Sequence, residues 1–317
     1  MIDNRVKKYL KKNKVQDNRL YMLPKDASNR SYFRLSDKKL IALFPSEFGE
    51  SIEKFVQISN ILKKSNIKIP KIIDYDKDLE ILLIEDFGEN KISNHKYNIS
   101  EEELLKKVID VIFKIQKITI QDSIDEFNLK SILDESQLFI DWYLVVEKKL
   151  QITKEASQAF LDMLEDLYIK FKIKNNVYIH KDFHVDNIFY LPNIKDEIAI
   201  IDYQDMNIGH ISYDILSLLQ DVRKPLEIDT ENLLLDYFLT NNLDFKKEIL
   251  DGYNFFSLQR NLKIIGIFAR LKNRDNKDKY MNLIENGKKF IIKILKKPEF
   301  LLAKKWFDKY FKEIYDV

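Results

Sequence analysis

The chain has 317 residues, 45% hydrophobic and 33% charged, enough for a substantial core and, by size, for two modules. Lys and Arg number 53 against 51 Asp and Glu, so the net charge of +2 gives no global footprint for nucleic acid. The absence of cysteine excludes disulfides and thiolate metal sites, and no run approaches the roughly 18 apolar residues of a membrane helix.

In chain order, the basic residues 1–15 lack the apolar core of a signal peptide and read as a solvated face, which fits a cytoplasmic protein. Strands are expected over Arg30–Leu35, Lys39–Phe44, Ile72–Tyr75 and Glu80–Glu85. Between them Glu50–Lys64 has Ile52, Phe55, Val56, Ser59 and Leu62 on one helical face. After Gly88 the pattern turns helical. Ser100 and Glu103 form a capping box ahead of Leu104, Leu105, Val108, Ile112 and Ile115. Further amphipathic helices fit 131–149, 154–172, 211–221, 230–240, 245–272, 278–296 and 299–315. Two short β-like runs, Val177–His180 and Glu197–Asp202, interrupt this series. The fold class is α+β and bilobal: a strand-rich lobe over 1–88, ending in a connector, and a larger helical lobe over 89–317. A cleft between such lobes is a common ligand site.

The segment from Val177 to Phe189, followed by Ile198–Tyr203, carries the chemistry. Phosphoryl transfer asks a protein mainly for positioning and charge neutralisation. Asp182 can take the proton of an acceptor hydroxyl, and Asn187 and Asp202 offer the hard oxygen ligands that Mg2+ prefers. His-x-Asp-x-x-x-x-Asn, then a hydrophobic strand ending in Asp, is the spacing of kinase catalytic loops. His180, Asp182, His184 and Asp186 also admit a transition-metal reading, which the Asn187 and Asp202 partners disfavour.

The run from His180 to Asn187 resembles the catalytic loop of the aminoglycoside phosphotransferase and choline kinase superfamily. Asp26–Arg34, Asp202–Asp205, Ser212–Leu219 and Leu258–Asp275 narrow the likeness to bacterial N-acetylmuramate/N-acetylglucosamine 1-kinases. The resemblance implies a protein-kinase-like fold and ATP- and Mg2+-dependent phosphorylation of an amino sugar at its anomeric hydroxyl, in the recycling of cell-wall sugars. The partner implied is a small sugar; nothing implies a nucleic acid, a membrane or a protein partner. Alternatives are another hydroxyl acceptor on the same fold, or a catalytically silent nucleotide-binding protein.

By the same resemblance His180 orients the loop and Asp214 braces it. Asp86-Phe87-Gly88 spells the kinase metal motif but precedes His180 by 180 − 86 = 94 residues, so it reads as the connector, with the backbone of Glu85–Phe87 facing the purine edge. Leu23–Arg34 contains no glycine, which leaves Ala27 and Ser28 to cradle phosphates. Phe44 stands where protein kinases carry their phosphate-binding lysine, and Arg30 and Arg34 are candidates for the missing charge, against a solvated-face reading. Arg260, Arg270 and Arg274 are candidates for a lactyl carboxylate or sugar hydroxyls, against a solvated helix face. Trp142-Tyr143 could stack on a sugar, though such aromatics usually belong to a core.

Overall fold

The computed structural model describes residues 2–15, 20–23, 30–35, 38–44, 51–94, 98–192 and 197–316. Its first elements are α1 (Asn4–Lys12), β1 (Tyr21–Met22), β2 (Ser31–Arg34), β3 (Lys39–Leu43), α2 (Ile52–Lys64), β4 (Ile72–Asp76) and β5 (Ile81–Glu85). There follow α3 (Glu101–Gln116), α4 (Leu129–Leu138), a π-helix (Phe139–Glu147), α5 (Lys154–Lys170), β6 (Val177–Ile179), β7 (Ile188–Tyr190), β8 (Ile198–Ile200) and β9 (Asn207–Gly209). Helices α6 (Tyr213–Leu219), α7 (Ile228–Thr240), α8 (Lys246–Asp275), α9 (Ile284–Leu295) and α10 (Leu301–Tyr310) complete the order. The chain packs as two compact units, 1–98 with 186–205, and 99–185 with 206–317.

In the first unit an antiparallel sheet has the order β1-β2-β3-β5-β4. Side chains alternate across a sheet. Phe33, Ile41, Leu43, Ile81 and Leu83 form one core with Val6 and Tyr9 of α1, while Ala42, Leu82 and Ile84 are buried on alternate positions. The basic N-terminus is therefore a docked helix rather than a solvated face. Asp3 caps it, Tyr9 donates to Asp74 at 2.6 Å, and burying Val6 contributes about 1.5–3 kcal/mol. The β7–β8 hairpin belongs to this unit, with Phe189 and Ala199 packed on Phe87 and Ile200 N–H bonded to the Lys68 carbonyl.

In the second unit α3 starts at the expected cap, Ser100 accepting the Glu103 N–H at 3.2 Å. The long helix α8 runs through the centre, buried along most of its length from Ile249 to Leu271. The expected helix 131–149 is α4 continued as the π-helix, whose i→i+5 bonding widens the turn. Gly266 of α8 lets that backbone approach: a Cβ there would lie 2.4 Å from the Leu138 carbonyl carbon. Tyr143 is buried against Phe139 and Phe311, so it is a core residue. Among the described residues no helix is long and apolar enough to cross a membrane.

Candidate active site

The loop after β6 is held from below by two buried carboxylates. Asp214, in the first turn of α6, accepts the N–H groups of His180 at 2.7 Å and Lys181 at 3.2 Å. Asp221, two residues past the end of α6, accepts the Val185 N–H at 3.1 Å and that of Arg223 at 3.0 Å. Between these braces Lys181 adopts φ 72°, a left-handed conformation that turns the chain sharply before Asp182. Burial pushes Asp214 up to about 6, against the opposing pull of His180 and the two N–H donors.

Burial also raises the Asp182 carboxyl, but the charge of Lys263 first, then His184, Arg260 and His180, outweighs it and holds Asp182 below the ordinary carboxylate range. His184 is itself kept neutral by burial, far below its usual range, so the working charges are those of Lys263 and Arg260. Lys263 pairs with Glu135 at 3.1 Å, and the other Glu135 oxygen lies 3.2 Å from Lys181. Although burial pulls Lys263 down, Glu135, then Tyr213 and Asp182, raise it. The ionised carboxylate of Asp182 thus sits in a field of buried cations supplied by α8.

The chain passes from the second unit to the first between Val185 and Asp186. There the β7–β8 hairpin pairs Ile188 with Ile200, and the Ile201 N–H donates to the Asn187 carbonyl at 3.0 Å. This register brings Asn187 and Asp202 to the same end of the hairpin. Asp202 has φ 64°, a conformation that Asp tolerates better than branched residues. Its Oδ1 accepts from Arg30 at 2.6 Å and from Gln204 at 3.1 Å. An amide oxygen and a carboxylate at one end of a hairpin are a donor set that suits Mg2+. Among the described residues no three His, Asp or Glu side chains converge on a metal position, so the His180/His184 cluster does not assemble.

The remaining candidates separate. Arg30 is only 4% exposed and reaches Asp202, whereas Arg34 forks onto Asp86, with Glu89, the Tyr21 hydroxyl and the Gly88 carbonyl completing its shell. Arg34 is thereby committed to the connector. Glu85 pairs with Lys68 at 3.0 Å, and Phe87 lies between Phe189 and the Lys68 ammonium. Ala27 and Ser28 lie outside the described residues. Arg260 is buried and its charge reaches Asp182, but Arg270 and Arg274 follow it by ten and fourteen residues, about 15 and 21 Å along the helix. Arg274 is exposed and forks onto Asp275 at 2.8 Å. The three arginines do not serve one point. Asp221, Glu135 and Gln204 escaped sequence reading.

The sequence profile described as the phosphotransferase enzyme family matches residues 22–248, from β1 into the start of α8. The chain belongs to this family. The phosphotransferase is 27% identical over 272 residues to the N-acetylmuramate/N-acetylglucosamine kinase of Neisseria meningitidis serogroup B, covering 80% of this chain and 79% of that one. The protein of the same name from Pseudomonas aeruginosa is 24% identical over 81% of this chain and 78% of its own. Among solved structures, choline kinase LicA from Streptococcus pneumoniae matches the phosphotransferase with TM-score 0.66 at 12% identity, covering 92% and 100% of the two chains. ADP-bound aminoglycoside phosphotransferase APH(2'')-Ib gives 0.65 at 16%, covering 95% and 99%. The fold is that of protein-kinase-like phosphotransferases, α+β with a small antiparallel sheet and a larger helical part.

Proposed function

We propose that this phosphotransferase moves the γ-phosphate of ATP to the anomeric hydroxyl of N-acetylmuramate or N-acetylglucosamine. The observation that carries the substrate is the agreement of four relatives of that name at 24–27% identity over 80–86% of the chain. A cytoplasmic role in reusing cell-wall sugars goes with this reading, because ATP is the donor.

Asp182 is the base: it accepts the hydroxyl proton as the sugar oxygen bonds to the γ-phosphorus and the bond to the departing ADP breaks. An anomeric hydroxyl is more acidic than the other ring hydroxyls, which suits a carboxylate held ionised by Lys263 and Arg260. Asn187 and Asp202 would hold Mg2+, which neutralises triphosphate charge when bound. Arg30 serves the phosphates together with the backbone around Ala27 and Ser28. Glu85 and Phe87 flank the connector that faces the purine, and the Phe87 N–H, without a partner among the described residues, is the donor offered to it. Arg260 is the cation for an acceptor carboxylate or hydroxyl; Arg270 and Arg274 are too far along α8 to share that contact. His180 and Asp214 support the loop.

The test is incubation with ATP, Mg2+ and each sugar, with the phosphate position assigned by phosphorus NMR. Product at the anomeric oxygen is expected, and none from the 1-O-methyl glycosides. Phosphorylation of a blocked glycoside at C6 would overturn the anomeric assignment and leave the kinase reading standing.

A further inference from the structure

In protein kinases a lysine at the end of the third strand reaches the phosphates and is held there by a glutamate from the following helix. Neither partner stands at these positions among the described residues. β3 ends at Leu43 and runs into the buried Phe44, and α2 carries a single carboxylate, Glu53. Glu53 is more than half exposed and pairs with the equally exposed Lys77 at 2.8 Å, so it faces away from the site.

A closed circuit of other contacts occupies this place within the first unit. The Arg30 guanidinium lies 5.6 Å from the centre of the Phe44 ring and 2.6 Å from Asp202 Oδ1. The Phe44 ring meets Phe55 of α2 at 5.5 Å, nearly edge-on at 76°. Phe55 packs on Tyr203 at 4.9 Å, and the Tyr203 hydroxyl is 2.9 Å from that of Ser59, one turn further along α2. Tyr203 is the covalent neighbour of Asp202, which closes the ring. Every member except Asp202 is at most 4% exposed.

We propose that Phe44 is a positioning residue for the nucleoside triphosphate: its ring seats the Arg30 guanidinium and, through Phe55 and Tyr203, couples that cation to α2 and to Asp202. This rests on the kinase reading above and says how the reading survives without a strand lysine. A planar guanidinium suits a ring face as a compact ammonium does not, and it keeps its edge free for an anion. Asp202 Oδ1 lies at that edge; phosphate oxygens take it when the nucleotide binds, while the ring contact persists. Orientation of α2 is then set by aromatic packing and one hydroxyl pair rather than by an ion pair.

The test is a double-mutant cycle of Phe44→Leu and Arg30→Met, read by isothermal titration with Mg·ADP and by the KM values for ATP and sugar. Each single change should weaken nucleotide binding about 3- to 30-fold, the range of a desolvated cation–ring contact. The double variant should bind no more weakly than Arg30→Met alone, with the sugar KM unchanged. Multiplicative losses, or a Phe44→Leu variant with native nucleotide affinity, would overturn the proposal. If Phe44→Leu does not fold, Phe44→Met fills the same space without a ring and is read the same way. Coupled nucleotide binding without sugar turnover would uphold the seat and sink the substrate assignment. Sugar turnover with an additive cycle would do the reverse, and a wild-type protein that binds no Mg·ADP overturns both.

Discussion

Asp182 has neighbours that keep it charged and braces that keep it still, so its two properties can be separated by substitution. Asp182→Asn removes the proton acceptor but keeps the shape, and kcat should fall at least about 100-fold with nucleotide affinity nearly unchanged. Turnover within about tenfold of wild type, measured with saturating sugar, would remove Asp182 from the chemistry. Asp214 offers a pH signature. Its folded pKa of about 6 lies above the ordinary value of 3.8, so its contribution to stability is fully present below pH 3.8 and is lost as pH rises through 6. Asp214→Asn cannot titrate. Its stability relative to wild type should therefore improve between pH 4 and pH 7, by on the order of 3 kcal/mol at most. Urea melts at both pH values measure the difference, and a constant gap would contradict the burial argument. Activity should nevertheless fall at pH 7, because the His180 and Lys181 N–H groups use different Asp214 oxygens, and an amide sets an NH2 donor against one of them.

At the scale of elements, α8 and the π-helix meet through a missing side chain. Gly266→Ala gains about 1 kcal/mol of helix propensity but places Cβ 2.4 Å from one backbone atom and 2.5 Å from the next, Phe139 N, neither of which can rotate away. The net effect should be a loss of about 1–3 kcal/mol. Gly287→Ala in α9 is the control, since its Cβ would meet only side-chain atoms, of Ile265 at 3.2 Å and of Asn261 at 3.8 Å. It should be neutral or stabilising by up to about 1 kcal/mol. Equal effects of the two on the thermal midpoint would deny the close approach.

These elements also show what a linear reading can reach. Strands β2 to β5 and helix α2 emerge close to where the apolar pattern places them, although β3 and β5 are buried at consecutive positions and β4 is mostly exposed. The π-turn does not, since nothing within residues 131–149 marks it; where it begins, the backbone of Leu138 and Phe139 lies close against Gly266, more than a hundred residues on. Helix α1 hid behind its lysines, with Val6 and Tyr9 its only fully buried apolar side chains. In the candidate site, the loop carrying Asp182 and Asn187 and the strand leading to Asp202 were legible because their spacing is local. The commitment of Arg34 to Asp86 was not, because only the pairing of β2 with β3 and of β3 with β5 brings those residues together.

For the whole molecule, nucleotide binding to the first unit should appear as stability. Mg·ATP at about 100 times its dissociation constant adds about 2.7 kcal/mol, so the thermal midpoint should rise, and Asp202→Ala should abolish most of the rise. A midpoint indifferent to Mg·ATP in the wild-type protein would contradict nucleotide binding altogether. The first unit is assembled from two stretches, 1–98 and 186–205, with the 185 − 98 = 87 residues of 99–185 between them. During synthesis this imposes a wait. Residue 205 follows residue 98 by 107 positions, roughly 5–20 s of translation, and until then Phe87 has no Phe189 or Ala199 to cover it. The five-stranded sheet leaves the ribosome with all its strands but without the β7–β8 hairpin over Phe87, an apolar surface open to chaperones, and full protease resistance of this unit is expected only in arrested chains long enough to expose that hairpin.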